Sequence, residues 1–103
     1  MEQDANGREG AAMAAQLTAA IAHDVNQPLM AISTNAGAAL KRLRCDPPRL
    51  DLLEALLHDI VAQSQRAGLT ISAWQSCSRQ YPGATPDALQ TAVHALLAAR
   101  ASS

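Results

Sequence analysis

The sequence is poor in the side chains that usually fill a protein core. It has no phenylalanine, one tryptophan and one tyrosine, and its Leu, Ile and Val residues together number 20, against 23 Ala. A chain of 103 residues has room for one small domain, and small domains bury a low fraction of their surface. Because alanine is the best helix former, the composition favours an all-α protein. Because large side chains are few, we expect this protein to need a partner to complete its core.

Charge, cysteine and long apolar runs are scarce as well. A net charge of −1 argues against the basic surface of a nucleic-acid-binding protein and against a polybasic membrane patch. Cys45 and Cys77 lie far apart in sequence, which indicates reduced thiols in a cytoplasmic protein rather than a disulfide or a metal site. The apolar run 11–22 is too short for a bilayer and no signal peptide is visible, so we expect no membrane segment.

Hydrophobic spacing predicts two long helices joined by a short turn. The first covers residues 11 to about 45, with one apolar face at Leu17, Ile21, Val25, Leu29, Ile32, Ala36, Leu40 and Leu43. The second runs from about residue 48 to 74, with a stripe at Leu50, Leu53, Leu57, Ile60, Ser64, Ala67, Ile71 and Trp74. The turn makes them an antiparallel hairpin, in which Asp46 is expected to cap the second helix. Because one hairpin exposes its inner stripe, we expect two copies to pair as a four-helix bundle.

The remaining segments complete a predicted domain organisation. Residues 1–10 are polar and contain two glycines, which predicts a disordered tail. The hairpin occupies residues 11–75, and residues 76–85 have the composition of a linker. Thr85 followed by Pro86 is typical of a helix cap and a first helical residue, so we predict a short C-terminal helix over residues 86–103.

The segment AHDVNQPL, residues 22–29, carries the clearest chemistry. Pro28 inside a helix costs roughly 3 kcal/mol, and natural helices rarely accept that without a reason. Asp24 follows His23 directly, and Gln27 lies one turn further on the same helical face. A neutral imidazole is a good nucleophile toward phosphorus near neutral pH, a carboxylate can take its proton, and an amide can orient a water for hydrolysis. By spacing alone, so short a motif more often contains a surface or core histidine without a function.

The longer segment AHDVNQPLMAISTNAGAALKRL resembles the H-box helix of two-component sensor histidine kinases, and the likeness extends to about residue 74. Six residues are in register with a His-Glu-Val-Asn-Gln-Pro-Leu pattern: His23, Asp24, Asn26, Gln27, Pro28 and Leu29. The resemblance implies that His23 is the phosphoacceptor and that Asp24, where glutamate is more common, is the acid that assists phosphoryl transfer. Gln27 would be a phosphatase-type amide, Asn26 would line the same surface, and Pro28 would bend the helix. A homodimeric four-helix bundle is implied, with the receiver domain of a response regulator docking near His23.

In that family an ATP-binding domain follows the hairpin, with an asparagine-rich magnesium motif and glycine-rich lids. All three asparagines lie before residue 36 and one glycine, Gly83, lies past residue 75, so we expect this chain to lack that domain and to bind no ATP or magnesium. It would then not be an active kinase alone, and His23 would be phosphorylated by a separate ATP-binding domain. The C-terminal helix would be a vestige of that domain, with Ala95 and Ala99 in place of its magnesium-binding asparagines.

Other interpretations stay open. The chain is also compatible with a non-catalytic helical protein that forms mixed dimers with a kinase or sequesters its response regulator. A degenerate gene product without a selected role is a third interpretation, favoured by the weak stripe near Ser64. Outside the H-box, we predict that His58 and Asp59 form a solvated pair and that His94 is a surface residue without an acidic neighbour. We predict that Trp74 is an anchor at the end of the bundle.

Overall fold

The computed structural model describes residues 2–102, with side chains from residue 7 to residue 101. It contains three helices, α1 (Glu2–Leu43), α2 (Leu50–Gln80) and α3 (Pro86–Ser102), and the described residues include no strand. The predicted all-α fold, a long hairpin followed by a short C-terminal helix, is confirmed. None of these helices, over the described residues, carries an apolar segment long enough to cross a membrane. The chain divides into two compact units, one of residues 25–69 and one of the residues before and after them.

The unit of residues 25–69 is the closed end of the hairpin. It contains the second half of α1, the connection 44–49 and most of α2. Asn35 Nδ2 donates a hydrogen bond to Asp59 Oδ2 across the two helices. The direction of the chain reverses in the connection, so the two helical segments run antiparallel, as predicted.

The start of α2 differs from the prediction. The helix begins at Leu50, and the Leu53 N–H donates to the Arg49 carbonyl at 3.0 Å, so Arg49 and not Asp46 occupies the cap position. A proline restricts the residue before it to extended conformations. Pro48 therefore keeps the chain before it out of the helix, and neither proline enters the first turn.

The other unit packs three helical segments around a small core. Its buried residues come from α2 and α3: Ala73, Trp74, Cys77, Leu89 and Val93. The partly buried residues against them come from α1, α3 and the α2–α3 connection: Leu17, Ala20, Ile21, Ala84, Ala92, Leu96 and Leu97. Trp74 is the one large aromatic ring in this core, and alanines supply four of the packed positions, Ala20, Ala73, Ala84 and Ala92. Although bulky residues are few, one tryptophan and the side chains of a third helix thus supply enough buried surface to form this core.

The start of α3 confirms the predicted cap. The Ala88 N–H donates to Thr85 Oγ1 at 3.2 Å, and the Leu89 N–H donates to the Thr85 carbonyl at 2.9 Å. Pro86 is the first helical residue, where its missing N–H leaves no hydrogen bond unmade. The helix extends to Ser102, and Ser103 lies outside the described residues.

Residues 2–10 are helical, although the sequence predicts a disordered tail for 1–10. Met1 lies outside the described residues. Adding residues to an existing helix avoids the cost of nucleation, and the segment contains no proline. Its two glycines therefore weaken the helix by roughly 1 kcal/mol each without ending it.

α2 likewise continues through the first half of the predicted linker at 76–85. It ends at Gln80, which leaves residues 81–85 as the connection to α3. Burial of the Cys77 side chain in the core favours another helical turn there, and the Tyr81 N–H donates to the Cys77 carbonyl at 2.9 Å. Pro82 then disfavours a helical conformation at the residue before it, so the helix stops.

The buried face of α2 is rotated from the predicted stripe. Ser64 is exposed, and so are three of the predicted apolar residues, Leu50 at 69 %, Leu57 at 55 % and Ile71 at 44 %. The buried or half-buried positions instead follow one another at Leu53, Leu56, Ile60, Gln63, Ala67, Thr70, Ala73, Trp74 and Cys77. Gln63 and Thr70 interrupt this series with polar side chains. A search for apolar spacing therefore selects the neighbouring face of α2, which is the predicted stripe.

Candidate functional site

Among the described residues, Asp24 is the one buried carboxylate. Two side chains from other helices donate hydrogen bonds to it. Its residue exposure is 8 %, and its Oδ2 atom lies 3.0 Å from Trp74 Nε1 and 2.9 Å from His94 Nε2. A carboxylate accepts hydrogen bonds and does not donate them, so His94 Nε2 carries the proton in this contact. All three residues belong to the three-helix unit, where α1, α2 and α3 contribute one each.

The two donors explain how a carboxylate can be buried in so small a core. Moving an ionised carboxylate out of water is costly unless hydrogen bonds replace its hydration. A bond from an indole or imidazole N–H to a carboxylate is charge-assisted and stronger than a bond between neutral groups. The Trp74 ring, 2 % exposed, also needs an acceptor for its N–H, and Asp24 supplies one.

The sequence prediction for His94 is right in one part and wrong in the other. His94 is a surface residue, as predicted, with 53 % of its side chain exposed, but its Nε2 atom lies 2.9 Å from Asp24 Oδ2, so it has an acidic neighbour. The two residues are 70 positions apart in the sequence, and no local pattern connects them. Trp74, for which the sequence predicts an anchor at the end of the bundle, is buried, and its hydrogen bond to Asp24 had no sequence signal.

The predicted phosphoacceptor lies beside this cluster on α1. His23 is exposed, whereas Asp24, the next residue, is buried. Successive residues on a helix point in directions about 100° apart, so neighbouring side chains can face different surroundings. The imidazole is thereby accessible to a reactant, while the adjacent carboxylate is held among Trp74 and His94.

The other predicted site residues belong to the unit of residues 25–69. Asn26 and Gln27 are exposed on α1, and Pro28 is fully buried within the helix, which continues through it to Leu43. Both side chains thus lie at the surface of the chain. Their roles, like those of His23 and Asp24, stay predictions.

The second histidine–acid pair is solvated, as predicted, but has a different partner. His58 Nε2 lies 3.5 Å from Glu54 Oε1, and both side chains are at least three-quarters exposed. Asp59, which follows His58 in the sequence, instead accepts the hydrogen bond from Asn35. Within the described part of the chain, no three side chains of His, Cys, Asp or Glu come together as a metal site would require.

Comparison with known proteins identifies the domain. Residues 13–79 match the family described as the His Kinase A (phospho-acceptor) domain, abbreviated HisKA. The chain belongs to this family. The HisKA match includes His23, Asp24 and Trp74, whereas α3 and its His94 lie beyond it.

A curated relative agrees with this assignment. The sensor histidine kinase TmoS of Ectopseudomonas mendocina is 37 % identical over 79 residues, which are 76 % of this chain. The aligned part is 8 % of TmoS, so the HisKA chain spans a small share of that protein's length. No solved structure shows significant similarity to this chain. Family and relative together support a role as a phosphoacceptor and dimerisation domain of a two-component histidine kinase.

Proposed function

We propose that this HisKA domain accepts a phosphoryl group on His23 and passes it to an aspartate in the receiver domain of a response regulator. The observation that carries the proposal is the exposed His23 imidazole within the HisKA match, beside a buried acid. A nucleophile that must meet a phosphoryl donor and then a receiver domain has to lie on an open surface. Asn26 and Gln27, within the same HisKA match, are also exposed.

The proposed chemistry has two steps. The unprotonated ring nitrogen of His23 attacks the γ-phosphorus of ATP, the bond to the bridging oxygen breaks, and ADP leaves with the bonding electrons. The proton on the other ring nitrogen passes to a base, for which Asp24 is our candidate. An aspartate oxygen of the receiver then attacks the phosphorus, and the phosphorus–nitrogen bond breaks with its electrons returning to the ring. In our proposal ATP and magnesium are held by a separate ATP-binding domain.

We also propose that the domain acts as a homodimer. The hairpin unit has an apolar groove of about 650 Å³. Its lining is mostly aliphatic: Ala36, Ala39, Leu40, Leu43, Leu50, Leu53, Glu54, Leu57 and Ile60. Leu40, Leu43, Leu50 and Leu57 are each more than half exposed, and an apolar patch of this kind marks an interaction surface. A second hairpin would bury it as a four-helix bundle does.

Phosphoryl transfer in trans tests the proposal. The purified chain is incubated with labelled ATP and the ATP-binding domain of a histidine kinase, beside a His23→Gln variant that keeps a polar side chain but lacks the nucleophile. We expect acid-labile, base-stable label on the parent chain and none on the variant. A folded parent chain that stays unlabelled with several kinase domains would contradict the proposal.

The apolar groove also supports a second candidate function, a binding protein without phosphotransfer. Mixed dimers with a histidine kinase would use the groove and would need no phosphate on His23. In that case dimer exchange with a kinase would survive His23→Ala, and the chain would inhibit the kinase in proportion to its concentration. Labelling of the parent chain by the phosphotransfer assay favours the first function over this one.

A further inference from the structure

α3 contacts the H-box from outside the part of the chain that matches the HisKA family. The match ends at residue 79, and His94 of α3 nevertheless places its Nε2 atom 2.9 Å from Asp24 Oδ2. We infer that His94 is a positioning residue for Asp24, which holds the carboxylate in the core and so restrains its action on His23. The inference rests on the proposed function, in which Asp24 takes the ring proton of His23 during phosphoryl transfer.

The position of the Asp24 carboxylate supports a restraining role. Its side chain is 7 % exposed, and a single oxygen, Oδ2, accepts both the Trp74 and the His94 hydrogen bonds. To act on His23, the carboxylate has to offer an acceptor oxygen to a ring that lies on the exposed side of α1. The two donors on Oδ2 fix the position of the whole carboxylate, so a movement of either oxygen toward His23 has to weaken them.

His94 is the donor that can leave while the core stays packed. Trp74 is 2 % exposed and fills the centre of the three-helix unit, so its N–H moves only if the core opens. His94 is half exposed, and a change of side-chain rotamer brings its ring into water. The adjacent Val93, fully buried, keeps α3 in place during that change. Release of one half-exposed hydrogen bond therefore frees Asp24 without unfolding.

Once His94 has left Asp24, the proton that His23 loses in the proposed step has an acceptor within the H-box. As the phosphorus–nitrogen bond forms on His23, its other ring nitrogen gives its proton to an Asp24 oxygen that no longer carries the His94 hydrogen bond. α3 is thus a restraint on the phosphoacceptor, and anything that draws His94 away from Asp24 accelerates phosphorylation of His23.

Two substitutions of His94 separate this role from simple packing. His94→Ala removes the donor while keeping high helix propensity in α3, and His94→Gln keeps an N–H donor on a side chain of similar reach. We expect the initial rate of His23 labelling to rise roughly tenfold in His94→Ala, the size expected if one charge-assisted hydrogen bond is lost. His94→Gln should label at close to the parent rate. His58→Ala is the matched control, because it removes an exposed histidine–carboxylate pair elsewhere, and should have no effect.

A double substitution tests whether His94 acts through Asp24. In an Asp24→Asn background, His94→Ala should no longer change the labelling rate, because the group it restrains is absent. The single indole N–H resonance of the chain, that of Trp74, reports the contact directly and should shift in His94→Ala while the helical circular dichroism is unchanged.

The outcomes distinguish the inference from the proposed function. A parent chain that takes label while His94→Ala labels no faster overturns the inference and leaves the function standing. Equal acceleration in the Asp24 and Asn backgrounds also overturns it, because the effect would then come from loosening α3. A parent chain that never takes label removes the proposed function and the inference together.

Discussion

At the scale of single residues, the arrangement around Asp24 is the main structural result. A buried carboxylate has to be hydrogen-bonded, because an unpaired charge in a core costs several kcal/mol. Asp24 obtains its donors from Trp74 on α2 and His94 on α3. The three helices of this unit are therefore tied together at one buried carboxylate beside an alanine-rich core.

The Trp74 donor can be removed by a single substitution. Trp74→Phe keeps an aromatic ring in the core but leaves Asp24 without one hydrogen bond. We expect the free energy of unfolding to fall by about 1.5–3 kcal/mol, the usual worth of a hydrogen bond to a charged group, with a further loss from the smaller ring. Urea denaturation followed by helical circular dichroism measures it.

Tyr81→Phe is the matched control for this prediction. It also removes one polar atom from an aromatic ring, but Tyr81 is 47 % exposed in the α2–α3 connection. Substitutions at such surface positions usually stay within about 0.5 kcal/mol. Equal stability losses in the two variants would show that the Trp74–Asp24 bond contributes nothing of its own.

At the scale of the helices, two prolines and a cap decide where α2 ends and where α3 begins. Pro82 follows the end of α2 closely, and Pro86 is the first residue of α3. Between them, Thr85 Oγ1 accepts the Ala88 N–H and satisfies one of the free donors at the start of α3. These local signals set the docking of α3, because a shift of its start would move His94 away from Asp24.

Loss of the cap should weaken α3 selectively. We expect Thr85→Ala to cost about 1 kcal/mol, the usual value for a lost N-cap, with the effect concentrated in α3. Hydrogen exchange of the α3 amides measures it, and exchange should become faster there than in the hairpin unit.

Thr91→Ala makes the same change six residues later in α3. The Thr91 hydroxyl donates to the Asp87 carbonyl within the helix, and alanine has the higher helix propensity there. This variant should therefore be as stable as the parent or slightly more so. Faster exchange in both threonine variants would mean that the Thr85 cap has no special role.

At the scale of the whole molecule, the two compact units differ in how much of their apolar surface they bury. The three-helix unit has its own core, with Trp74 and Val93 almost fully buried. The hairpin unit has the groove described above, in which Leu50 is 69 % exposed. A partner is therefore expected on the hairpin unit, which is the physical basis of the proposed homodimer.

Charge in the groove should prevent dimerisation. Leu57 lines the groove and is 55 % exposed in the single chain, so Leu57→Glu should leave the fold intact and weaken dimerisation at least tenfold, because a carboxylate would be buried in an apolar interface. Sedimentation equilibrium measures the dissociation constant.

Leu69→Glu is the control for the groove. It places the same side chain on the same helix at a site of similar exposure, 49 %, outside the groove lining. Its dimerisation should match that of the parent chain. If Leu69→Glu dissociates the dimer and Leu57→Glu does not, the interface lies elsewhere.

Local chemistry in the sequence determined the three helices, some of their ends and the H-box motif. Alanine content, apolar spacing, the Thr85 cap and the H-box pattern are all read over a few residues, and the fold class and family they predicted are confirmed. The helical residues 2–10 and the end of α2 were missed, because helix extension and burial of Cys77 outweigh weak local breakers.

Tertiary structure alone decided which face of α2 is buried and which groups surround Asp24. Packing against the other helices selected a face that includes Gln63 and Thr70, which no apolar pattern indicates. The pairing of Asp24 with His94 joins residues 70 positions apart, and it exists only because α3 docks on α1. A buried charge takes its donors from whichever helices reach it, so its partners follow from packing and not from sequence spacing.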